Sequence, residues 1–117
     1  MLNTILDNLI TSVEGARAAI FLDNDGEAIA QAGTMTVDIK LLGAWKEIHL
    51  DHIKQITERL GLGTVHAVLF SLDESTELIA PVSNDYCLLL LLSPYANLSV
   101  AMARLRVAID ELVADIT

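Results

Sequence analysis

Residues 86–92 read Tyr-Cys-Leu-Leu-Leu-Leu-Leu, and no other stretch of the chain constrains its fold so tightly. Five consecutive leucines leave no polar face. A membrane-spanning helix needs about 20 apolar residues, and this run stops at Ser93-Pro94. A barrel strand would alternate polar with apolar positions. The reading that remains is a strand buried on both faces, lying mid-sheet with helices above and below.

The other elements follow from periodicity and punctuation. Leu2, Ile5, Leu6, Leu9, Ile10 and Val13 recur at helical spacing, and Gly15 ends that helix. An apolar run at 16–22, the turn Asp-Asn-Asp-Gly at 23–26 and an alternating run at 27–32 predict a hairpin. A long helix is predicted from Val37 to Leu60, with Asp38 or Thr36 as its cap and Gly61 as its stop. Runs at 64–72, 76–82 and 86–92 are separated by short polar turns and predict an antiparallel meander. A closing helix carries Leu98, Ala101, Met102, Leu105, Ala108, Ile109, Leu112 and Ile116, capped by Asn97 or begun at Ser93-Pro94.

The expected fold is therefore one α+β domain over 1–117, ordered α-β-β-α-β-β-β-α. In the meander the leucine strand is terminal, so burial on both faces demands one more neighbour. The run at 16–22, apolar apart from Arg17, supplies it. The expected sheet order is 2-1-5-4-3, a five-stranded, antiparallel-type mixed sheet. The long helix covers one face and the two terminal helices the other.

That order leaves the third strand at an edge, with no charge, proline or glycine in 64–72. Such an edge invites pairing with a second copy. The long helix agrees. Its apolar positions, including Leu41, Leu42, Ala44, Trp45, Ile48, Ile53, Ile56 and Leu60, span about half the circumference. A helix packed on one side shows a stripe nearer ~100° wide. A deeply nested helix in a monomer would also explain the arc. The expected dimer interface is Leu41, Trp45, Ile48, His52 and Ile56 on the helix, with Thr64, His66, Val68 and Phe70 on the strand.

Charge narrows the function. The formal net charge is −9, with only seven Lys and Arg. Sequence-independent nucleic-acid binding needs phosphate neutralisation, so it is not expected. Anionic membrane surfaces are disfavoured for the same reason, and no membrane insertion is expected. The single cysteine, Cys87, fits a reducing compartment. The first ten residues lack the basic start and cleavage site of a signal peptide. Cytoplasmic location is the expectation.

No constellation of residues asks to be an active site. His49 and His52, at i and i+3, could hold a metal, but no second motif supplies further ligands. Both fall within the apolar arc and read as core or interface residues. Cys87 reads as a small buried hydrophobe. Gly61-x-Gly63 precedes a strand, whereas a phosphate cradle lies between strand and helix. No cofactor, no metal and no enzymatic activity are expected. Lys40, Lys46, Lys54 and Arg59 balance Asp38, Glu47, Asp51 and Glu58 along the long helix. A neutral, mixed-charge face suits partner docking on an otherwise acidic chain.

The stretch GARAAIFLDNDGEAIAQAG (15–33) resembles the first hairpin of the Roadblock/LC7 family. The stretch LGLGTVHAVLFSLDESTELIAPVSNDYCLLLLLSPYANLSVAMARLRVAIDELV (60–113) resembles that family's second half. Ser99 stands where the family often has glycine. The resemblance implies homo- or heterodimers joined through their third strands and long helices. It implies Ras-like small GTPases as partners, met as activators or scaffolds. Some members serve dynein or lysosomal complexes, and bacterial members of the MglB group work beside an MglA-like GTPase. It carries over no catalytic residue. The expected function is a dimeric, non-enzymatic regulator or scaffold of a small GTPase, docking it around Lys46, Glu47, Lys54 and Glu58. A pure assembly module and a small-ligand sensor are the alternatives.

Overall fold

The computed structural model describes residues 1–34 and 38–117. The leucine strand organises the architecture. Strand β5 (Tyr86–Leu92) lies at the centre of the sheet, and Leu88 to Leu92 are all buried. Its neighbours are β1 (Ala16–Asp23) and β4 (Thr76–Pro81). Outside them lie β2 (Ala28–Gly33) and β3 (Val68–Ser71). The order is β2-β1-β5-β4-β3, antiparallel at every junction. Order and layering are those expected from the sequence.

Period-two alternation within β5 splits the leucines between two cores. Leu88, Leu90 and Leu92 meet the layer made by α1 (Leu2–Ser12) and α3 (Leu98–Ile116). Leu89, Leu91 and Cys87 meet α2 (Ile39–Arg59) through Leu42 and Leu50. Ile5, Leu6 and Leu9 bury one face of α1, and Ala101, Leu105, Ala108 and Leu112 one face of α3. These spacings of three and four place the side chains on one helical stripe.

Local chemistry sets the boundaries. The Asp23 carboxylate accepts from the amides of Asp25 (2.9 Å) and Glu27 (3.0 Å), closing the first hairpin. Gly26 holds φ at +82° there, and its missing Cβ lets Ala44 of α2 approach. Asp38 Oδ1 accepts from the Leu41 amide at 3.3 Å, so Asp38 caps α2. Thr36, the alternative cap, and Val37, the expected first residue, lie outside the described residues. Asn97, rather than Ser93-Pro94, caps α3, its Oδ1 accepting from the Val100 amide at 3.1 Å.

The third strand departs from expectation. A strand is predicted over 64–72, but only Val68–Ser71 pair, all with β4. The register places Phe70 opposite Glu77 and Val68 opposite Ile79. Continued two residues further, it would bring His66 opposite Pro81, which has no N–H to offer. The ladder therefore ends before the apolar run does.

Candidate functional site

Helix α2 presents three sides. Gly43, Lys46 and Leu50 are buried against the sheet. Leu41, Trp45, Ile48, His52 and Ile56, at spacings of four, three, four and four, form an outward stripe. Its apolar members stay uncovered: Leu41 is 57% exposed, Trp45 54%, Ile48 43% and Ile56 54%. Exposed Leu60 and Leu62 extend the apolar surface past the helix end. Single exposed apolar residues are ordinary, whereas a continuous stripe of large ones marks a contact surface.

Of the strand residues expected at the interface, Thr64 and His66 are exposed on the approach to β3. Val68 and Phe70 are half-buried and pack on the core beneath α2. Leu69 points to the opposite face, where it is 46% exposed, and was missing from the expected set. The signal was available: between two inward residues, a strand residue must face the other way. Among the described residues β3 pairs only with β4, so its outer edge is bare.

The three histidines do not assemble. His52 and His66 are exposed, and His49 sits between Trp45 and Phe70, ring centroids 6.2 and 5.7 Å away. His49 Nδ1 is buried without a hydrogen-bond partner. Among the described residues no group of three or more His, Cys, Asp or Glu could hold a metal ion.

Lys46 does not lie on the polar side of α2, where docking was expected. It points at the sheet, with Nζ 2.7 Å from Glu77 Oε1, both side chains nearly buried. The approach lies outside hydrogen-bonding angles and is an electrostatic contact. The ammonium also stands 4.0 Å from the Phe70 ring centroid, a cation–π arrangement. One residue of helix turns a side chain by about 100°, which separates Lys46 from its neighbour Glu47. Glu47, Lys54 and Glu58, with Asp51 among them, form the third side of α2, a polar stripe.

Electrostatics on that stripe are uneven. Partial burial, then Asp51, pushes the Glu47 carboxyl above its ordinary value, while Lys54 opposes the shift. Glu47, Asp51, Lys54, Asn24, Ser83 and Cys87 border one small hollow at the end of the sheet. Burial, then Glu47, pushes the Cys87 thiol up to about 12, which keeps it protonated at neutral pH. A carboxyl whose value is raised by folding stabilises the fold in acid and loses that contribution as the pH rises. Glu47→Gln is therefore expected to raise the melting temperature at pH 7. The gain should vanish at pH values below 4.5, which scanning calorimetry across pH would test.

A cleft of about 530 Å³ lies elsewhere, between the end of α1 and the start of α3. Glu14, Ser93, Tyr95 and Asn97 are on its rim, with Tyr95 93% exposed. None of the expected site residues reaches it. No described helix is long and apolar enough to cross a membrane.

Neither a protein-family model nor a curated protein matches the sequence. Solved structures do match the fold. A Roadblock/LC7 domain from Streptomyces avermitilis superposes with a TM-score of 0.90 at 17% identity, covering 97% of this chain and 96% of that one. Myxococcus xanthus MglB gives 0.90 at 18% identity, over 98% and 94%. Myxococcus xanthus MglC gives 0.69 at 29% identity, over 98% and 99%. This chain has the Roadblock/LC7 fold.

Proposed function

We propose that the chain acts as a homodimer that regulates or scaffolds a Ras-like small GTPase and does no chemistry of its own. One observation carries the reading. An uncovered apolar stripe on α2 lies beside a bare β3 edge, in a fold shared with MglB and MglC. In the proposed dimer the β3 edges of two copies pair across a two-fold axis. Leu41, Trp45, Ile48 and Ile56 then pack on their symmetry mates, and residues 64–67 gain a ladder partner they lack within one chain.

Dimerisation sets two α2 helices side by side, with the polar stripes of Glu47, Lys54 and Glu58 flanking the seam. That double stripe is the proposed docking surface. It would act by binding one nucleotide state of the GTPase more tightly than the other, since only differential affinity shifts an equilibrium.

The test uses purified chain and a Ras-like GTPase from the same genome, loaded with GDP or with a non-hydrolysable GTP analogue. Calorimetric titration should show binding to one state at least tenfold tighter, a gap of about 1.4 kcal/mol. Ile48→Glu should yield monomers and lose binding; Lys54→Glu should keep the dimer and weaken binding. A hydrolysis assay on the same mixture separates activator from scaffold. Intact dimers that ignore both nucleotide states would overturn the GTPase reading, and a monomeric parent chain would overturn the dimer.

A further inference from the structure

Helix α3 carries a second unpartnered face, on the far side of the sheet from α2. Leu105, Ala108 and Leu112 point into the core, and the opposite side of the helix is exposed. Val100, Ala103, Val107 and Ala114 lie along it at helical spacing, with Val100 41% and Val107 48% exposed. Arg104, Asp110 and Glu111 flank the same line and are also exposed. Among the described residues no ion pair ties down any of these charges. The chain has a net charge of −9, yet basic and acidic residues are mixed here.

Their order is self-complementary. Laid antiparallel on its own copy with Val107 on the two-fold axis, position i comes level with position 214 − i of the other chain, and positions seven apart, such as 104 and 111 or 103 and 110, face each other along one flank of the seam. Val107 then meets Val107, and Val100 meets Ala114. Arg104 meets Glu111 twice, once on each side of the axis, and Asp110 flanks Ala103. No like charges meet. A parallel pairing would set Asp110 beside Glu111 on both flanks of the seam, and these repel.

The geometry points to a homotypic, antiparallel α3–α3 interface between two copies of this chain, centred on Val107. It is separate from the α2 and β3 surface and does not rest on the function proposed above. An isologous contact closes on itself. Two such contacts on opposite sides of the sheet link dimers into a tetramer when their axes intersect, and into an open chain when they do not. The seam is narrow, so association is expected only at high concentration, and exposed charge pairs make it weaken with salt.

Light scattering over a concentration series, with the full chain, tests this. The parent chain should reach a particle mass that Arg104→Glu cuts by at least half. Arg104→Glu with Glu111→Arg should restore it, because the swap rebuilds both pairs with reversed sign. All these side chains are exposed, so folding is not at risk, and circular dichroism confirms it. Val107→Cys should form an intermolecular disulfide on mild oxidation, since the native cysteine, Cys87, is buried. A mass that Arg104→Glu leaves unchanged, a double variant that fails to recover, or a Val107→Cys chain that stays uncrosslinked would each overturn the proposal. The Ile48→Glu variant, monomeric in dilute solution, should still pair through α3 at high concentration, so loss of the α2 dimer and loss of this contact read out separately.

Discussion

Lys46→Met is expected to destabilise the fold by about 3–5 kcal/mol, because it leaves the Glu77 carboxylate buried without its cation. Glu77 lies on β4, between β5 and β3, and is 6% exposed. A strand in that position cannot carry its side chain out to water. Typical domains hold only about 5–15 kcal/mol in total, so the loss would be visible in any urea titration. The reverse change should cost less. Glu77→Leu strands the ammonium, but a lysine stem can extend along the helix surface and return its charge to solvent. About 1–2 kcal/mol is expected there. The double variant, Lys46→Met with Glu77→Leu, should come within about 1 kcal/mol of the parent, since a buried ion pair is often no better than apolar side chains of similar volume. Methionine would keep contact with Phe70 through its thioether. The cycle has a clear failing result. If Lys46→Met loses under about 1 kcal/mol, or the double variant loses the sum of the singles, the pair is a surface contact and not a buried lock.

The same pair marks how far the sequence could be read. Five leucines cannot be amphipathic, so β5 had to be central, and the sheet order followed by exclusion of the alternatives. Edges are simpler still, because an order with β5 inside puts β2 and β3 outside. Faces of a helix are harder. The arc on α2 was evident from its residues, but an arc has two margins, and periodicity alone does not say which margin touches the sheet. Lys46 reads as a solvated charge until Glu77 is known to lie across from it, on a strand 31 positions further along the chain. That is a tertiary pairing with no local signature. The shortened β3 has a different cause. Val65 to Phe70 have the composition of a strand, but pairing also requires a donor opposite, and Pro81 withholds one at the position His66 would need. Composition described one strand, whereas a ladder is a property of two. The apolar excess on α2 was legible because it is more than one sheet face can cover, and Leu41, Trp45, Ile48 and Ile56 are among the residues left exposed.

Gly33→Ala is the other change expected to be severe, at about 3 kcal/mol or more. Gly33 ends β2 with φ at +90°, opposite Ala18 in the register. A Cβ there would overlap the Arg17 carbonyl oxygen and stand 2.8 Å from the Ala18 Cα. Both are backbone atoms of β1, which is itself paired with β5 on its other side. The Arg17 carbonyl cannot turn away cheaply, because it accepts from the Thr34 amide at 3.1 Å. Relief must come from β2, so the edge strand should lift from β1. Gly61 separates the two contributions. It too has positive φ, at +65°, but nothing lies within 4 Å of a Cβ placed on it. Gly61→Ala should cost only the backbone term, about 1–2 kcal/mol. Urea denaturation of the two variants measures the difference, and hydrogen exchange at the β2 amides should accelerate in Gly33→Ala alone. Equal losses for the two variants, with β2 still protected, would mean that the backbones of β1 and β2 are not in the close contact described here.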